Sequence, residues 1–148
     1  MALYGGFRKG ELLALSWDDI DADKHSISIT KSATSVGGRR IVKMPKNKKS
    51  IRTVYLPDIC FSLLEDWHIQ QKYLQLSHGS KWIGNKENLI FINELNGLPM
   101  GEYVPTNAFT SIIKRYNKTH DNYNRFGDKH TAQNMTKTLL FWYIMKQT

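Results

Sequence analysis

The residues best equipped for chemistry in this chain are its cations, and they are clustered. Arg39, Arg40, Lys43, Lys46, Lys48, Lys49 and Arg52 place +7 within fourteen residues, with no acid among them. A second excess of +5 lies over residues 114–148, where Lys114, Arg115, Lys118, Arg125, Lys129, Lys137 and Lys146 outnumber Asp121 and Asp128. The net charge is +8, so the remainder is mildly acidic, at −4. Positive charge gathered in two places suits a polyanion, because each phosphate neutralised releases condensed counterions. A solvated basic loop is the plainer alternative. Other chemistries have less to work with. Five scattered histidines and the single Cys60 predict no metal site and no internal disulfide. A Gly-x4-Gly-Lys-Ser/Thr phosphate loop does not occur, and no cofactor is expected.

The cations need elements to hold them, and the chain has enough apolar residues to build them. Its 148 residues make about one domain, and 41% are hydrophobic. Leu13, Trp17 and Ile20 recur at i, i+4, i+7, which predicts an early helix with one buried face. Gly5-Gly6 stands where a preceding helix would end. His25–Lys31 alternates with Ile27 and Ile29 on one side, as a half-buried strand does. Arg40–Met44 and Ile51–Leu56 read as two more strands, with Val54 and Leu56 inward. Together they predict a three-stranded antiparallel meander. Pro45–Ser50 is the turn of its second hairpin and carries much of the basic charge. Pro57-Asp58 opens a long helix over about 58–75, with a stripe of Ile59, Leu63, Trp67 and Leu74. Leu89–Ile92 reads as a short strand ended by Asn93–Pro99. A further helix follows over 106–117, capped by Thr106 or Asn107, with a stripe of Phe109, Ile112, Ile113 and Tyr116. The fold class expected is α+β.

Residues 117–138 differ, with no Leu, Ile or Val but four Asn and four Thr. The longest apolar run is Leu139–Met145, seven residues against the roughly 18 of a membrane span. No membrane association is expected. The opening Met1–Arg8 shows no signal-peptide pattern, and the lone cysteine fits a reduced, cytoplasmic setting.

Longer patterns point to a family. The opening Leu3-Tyr4-Gly5-Gly6-Phe7-Arg8-Lys9-Gly10-Glu11-Leu12-Leu13-Ala14-Leu15-Ser16-Trp17-Asp18-Asp19-Ile20-Asp21 closely resembles the first catalytic motif of the tyrosine recombinases, the integrases of phages and conjugative transposons. Pro45-Lys46-Asn47-Lys48-Lys49-Ser50-Ile51-Arg52-Thr53-Val54-Tyr55-Leu56-Pro57 resembles the family's hairpin that bears the catalytic lysine. Leu89–Phe91 with Asn93–Pro99 resembles its later strand and turn. The resemblance covers about residues 2–116, in order, and implies a partial recombinase catalytic domain with helices packed around a three-stranded antiparallel sheet. It also implies double-stranded DNA as partner, strand breaking by a tyrosine through a covalent 3′-phosphotyrosine, and assembly as a tetramer on DNA.

The resemblance assigns roles to individual residues. Arg8 takes the phosphate clamp, since a guanidinium with parallel donors stabilises charge growing on phosphate oxygens. Lys46 takes the general acid that protonates the leaving 5′-oxygen. Glu11, one turn past Arg8, supports it through an i, i+3 pair. Arg39, Arg40, Lys43, Lys48, Lys49 and Arg52 are expected on backbone phosphates.

The later family motifs find no counterpart. At Phe126-Gly127-Asp128-Lys129-His130-Thr131 the family has a His-x-x-Arg box. Phe126 has no proton chemistry, and Lys129 lacks the bidentate fork. Tyr143 stands near the end of the chain in no matching motif. Residues 1–116 are therefore expected to be the N-terminal part of an integrase catalytic domain, and 117–148 a divergent tail, frameshifted or disordered. Such a truncated recombinase is expected to be inactive alone and not to assemble as the family does. A non-catalytic DNA-binding remnant is the alternative, and RNA binding through the basic hairpin ranks last.

Overall fold

The computed structural model describes residues 5–44 and 50–119. Contacts divide the chain into a larger unit, Gly10–Gly101, and a smaller one made of Met1–Lys9 and Glu102–Thr148. The α+β class expected from the sequence is what the structure has.

Helix α1 (Lys9–Ala14) is short and buries Glu11, Leu12, Leu13 and Ala14. The helix expected to run on through Trp17 and Ile20 stops here for a local reason. Ser16 gives its backbone N–H and its hydroxyl to the Asp19 carboxylate, at 2.8 and 2.6 Å. Such side-chain bonds offer the backbone an alternative to the helical ladder. Ser16 is extended (φ −114°, ψ 162°) and opens a separate 3₁₀ turn, Trp17–Asp19. The chain is then drawn sideways, with Trp17 N–H donating to Asn88 O and Ile90 N–H to Leu15 O.

Strands β1 (Ile20–Asp21), β2 (Ser26–Ile29) and β5 (Arg52–Tyr55) form a three-stranded antiparallel sheet in the order β1-β2-β5. Its register pairs Ile20 with Ile27, Ile27 with Val54, and Ile29 with Arg52. Strands β3 (Ser32–Val36) and β4 (Arg39–Lys43) form a second, two-stranded sheet. A three-stranded antiparallel sheet was the expectation, but its membership differs. Arg40–Met44 does not join the sheet of Ile27 and Val54. Gly37 (φ 58°) and Gly38 (φ 76°) make a two-residue turn with positive φ at both positions, which folds β4 straight back on β3. The place in the larger sheet goes to β1, whose two residues are too short to show a period.

Helix α2 (Asp58–His78) follows Pro57, as expected. Its buried residues are Cys60, Phe61, Leu64, Trp67 and Gln71. Of the expected stripe only Trp67 is fully buried, and Ile59 is 55% exposed. Polar anchors set this rotation. The Trp67 indole donates to Ile90 O at 2.7 Å, and the Gln71 amide donates to the same oxygen at 2.8 Å. Leu89, Ile90, Phe91 and Ile92 are all buried, but they run as a core segment held by two isolated bridges, Ser16 to Leu89 and Ile92 to Pro99. Gly10 lets α1 approach β3: a Cβ there would meet the Ser32 hydroxyl and lie 2.7 Å from Ala33 O. Leu13, Ala14, Ala33 and the partly buried Met100 pack together at this contact.

In the smaller unit, helix α3 (Val104–Thr119) starts two residues before the expected cap at Thr106. Lys9 pairs with Glu102 at 3.2 Å and lies 5.9 Å from the centre of the Tyr103 ring. The side chains of the expected stripe, Phe109, Ile112, Ile113 and Tyr116, and everything from 120 to 148, lie outside what the structure describes.

Candidate nucleic-acid interface

The chain reaches Arg8 through a turn. Gly6 has φ 61°, and the Phe7 ring occupies the space a side chain on Gly5 would need. Phe7 is buried, while Arg8 beside it is exposed at the start of α1. A buried aromatic thus anchors the turn that presents the arginine. Lys46, Lys48 and Lys49 lie outside the described residues.

Glu11 is expected beside Arg8. In the larger unit it meets Arg52, whose two terminal nitrogens donate to its two carboxylate oxygens at 3.0 and 2.9 Å. The Glu11 side chain is 6% exposed and that of Arg52 30%. Parallel bidentate bonds suit the guanidinium fork, and the Glu11 bond raises the Arg52 pKa further. Arg52, expected on a backbone phosphate, is engaged in this structure by an internal carboxylate. Strand alternation explains it, since Arg52 shares a face of β5 with half-buried Val54.

Arg40 is engaged in a similar way. It donates to Glu87 at 2.6 Å and, through its other terminal nitrogen, to Leu13 O at 3.1 Å. It thus ties β4 to the end of α1 and to the turn before Leu89. Arg39 and Lys43 are exposed and share the opposite face of β4. Val36 pairs with Arg39 and Ser32 with Lys43 across the hairpin. Both cations of this outward face are open to solvent.

Several supporting contacts were not anticipated. Lys31 pairs with Asp19 at 3.2 Å and donates to Ser16 Oγ at 2.9 Å. The Trp17 indole donates to Gln71 at 3.0 Å, and its ring stacks on His68 at 4.3 Å. The Asn88 amide donates to Asp18. Burial and nearby Lys72 hold the His68 imidazole below its usual range. Among the described residues, every buried side-chain nitrogen and oxygen has a partner. No helix among them is long and apolar enough to cross a membrane.

The mixed helix and antiparallel-sheet fold is shared with solved integrases. A Tn1549 transposon integrase in complex with circular intermediate DNA superposes with a TM-score of 0.68 at 20% identity, over 93% of this chain and 43% of that one. The phage integrase family profile matches residues 1–140, and the chain belongs to that family. A XerC-like tyrosine recombinase of Caldanaerobacter subterraneus subsp. tengcongensis is 30% identical over 128 residues, covering 80% of this chain and 31% of that protein. The ICEBs1 integrase of Bacillus subtilis is 42% identical over 74 residues, covering 50% of this chain and 20% of that protein. The chain thus spans less than half the length of each of these relatives.

Proposed function

We propose that this chain acts on duplex DNA as part of a tyrosine recombinase catalytic domain, in the integration or excision of a phage or mobile element. The observation that carries the reading is membership of the phage integrase family, matched over residues 1–140. Arg8 clamps the scissile phosphate, because a planar cation with paired donors suits charge building on non-bridging oxygens. Lys46 delivers the proton to the leaving 5′-oxygen. Glu11 supports the site by holding Arg52 at the start of β5, six residues after Lys46. Arg39, Lys43, Lys48 and Lys49 contact backbone phosphates, which fixes position without reading sequence. The work requires no metal or cofactor and takes place in the cytoplasm.

The chain by itself binds DNA without cutting it, as the catalytic part of residues 1–116 followed by a divergent 117–148, and it does not build the tetramer. Cleavage needs a nucleophile, two arginines and an acid around one phosphate, and groups that act as a unit give no partial turnover when some are missing. Phe126 and Lys129 stand where the second arginine box is expected. The test is incubation with a nicked duplex that traps the covalent intermediate. The expected result is retained binding and no covalent protein–DNA band. A band that disappears in Tyr143→Phe, or in Tyr116→Phe or Tyr123→Phe, contradicts the inactivity and names the nucleophile.

A further inference from the structure

Helix α2 turns a second, different face to solvent. Ile69, Tyr73 and Leu76 are 53%, 64% and 78% exposed. They stand at i, i+4 and i+7 and so form one stripe, opposite the buried line of Leu64, Trp67 and Gln71. Single exposed apolar residues are ordinary, but a contiguous line of three marks a contact surface.

The charges beside the stripe indicate what covers it. Ile69 is the centre of a pattern whose two halves complement each other when one is reversed. Three residues before it is Asp66, and three after it is Lys72. Four before is Glu65, and four after is Tyr73. Seven before is the small Ser62, and seven after is the large Leu76. All of these are exposed. We infer that this face binds a second copy of the same chain, with the two α2 helices antiparallel about Ile69.

In that arrangement Ile69 packs on its twin. Asp66 of each copy meets Lys72 of the other, each Tyr73 hydroxyl donates to the opposing Glu65 carboxylate, and each Leu76 covers the opposing Ser62. A two-fold axis brings together residues at equal offsets from the centre, which is the self-complementarity an isologous interface needs. A parallel pairing would set Asp66 against Asp66 and Lys72 against Lys72, and like charges in contact reject it. One helix face is smaller than the roughly 800 Å² per partner of a standard interface, so the pair is weak, with Kd on the order of 100 μM. The pairing needs no DNA and is independent of the catalytic reading.

Sedimentation velocity of the full chain without DNA, from about 10 to 500 μM, tests it. The expected result is a monomer at the low end and a growing dimer fraction at the high end. Asp66→Lys and Lys72→Asp should each weaken the dimer at least about tenfold, and the double exchange should restore it. Ile69→Asp should abolish it. These positions face solvent, and circular dichroism checks that the helix is kept. A monomer at every concentration overturns the inference. So does self-association that Asp66→Lys leaves unchanged, or that the double exchange fails to restore.

Discussion

Arg39 and Lys43 face outward from β4, while Arg40 on the same strand and Arg52 on β5 face inward, although all four come from one stretch of fourteen residues. The outward pair is exposed to solvent. The inward pair is bound to acids, Arg52 to Glu11 and Arg40 to Glu87. Charge density therefore overstates how much of a basic segment is available to a polyanion. Strand parity sorts the cations: one face is open to solvent, and the other holds the fold. The inward arginines also show why the first helix can be short. Six residues of α1 gain little as an isolated helix, and Arg52 and Arg40 fasten α1 from two different strands.

Breaking the inward side should have the largest effect. Arg52→Met removes the paired guanidinium from the buried Glu11 carboxylate and should cost about 2–4 kcal/mol, discounted for the partial exposure of Arg52. Urea unfolding measures it. Adding Glu11→Leu should recover much of the loss, because replacing both members of a buried pair is often nearly neutral. If the single variant is as stable as the parent, the pair does not hold α1 to β5.

The contact of α1 with β3 comes next. Gly10→Val places carbon against the backbone of Ala33, where no side chain can rotate away, and should cost about 1–3 kcal/mol. A stable Gly10→Val variant would mean that α1 can lift from the hairpin.

The smallest effect is a pH dependence at the Trp17–His68 stack. Burial, and then Lys72, lower the His68 pKa from 6.5 in the folded chain. The folded state thus favours neutral imidazole. Its contribution is complete above pH 6.5 and is lost as the pH falls through the lower folded value. His68→Asn should flatten the decline of stability below pH 6.5 without removing it. An unchanged slope would place the acid-sensitive groups elsewhere.

Much of this arrangement is legible in the sequence where a single period or a turn residue decides it. The alternation of His25–Lys31 marks β2, and that of Ile51–Leu56 marks β5. Pro57 marks the start of α2, and Leu89–Ile92, expected as a short strand, is buried but held by isolated bridges rather than in a sheet. The failures have particular causes. The apolar spacing of Leu13, Trp17 and Ile20 is helical, but Ser16 and Asp19 satisfy the backbone locally and end α1 at Ala14. The buried face of α2 includes Gln71, whose amide is satisfied by Ile90 O, so a search for apolar residues misplaces the stripe. The Glu11–Arg52 pair joins residues 41 apart. Its one local sign is that Arg52 shares strand parity with Val54.

The proposal that the outward face of β4 meets the DNA backbone while the inward arginines serve the fold is tested most directly by the salt dependence of duplex binding. Exchanging Arg39 and Lys43 together for Gln should make the slope of log K against log salt shallower by about 1.8, which is 0.9 for each phosphate contact, at unchanged stability. Arg40→Gln should lower stability and leave the slope of the folded protein unchanged. A slope that stays the same without Arg39 and Lys43, but flattens in folded Arg40→Gln, would contradict the account.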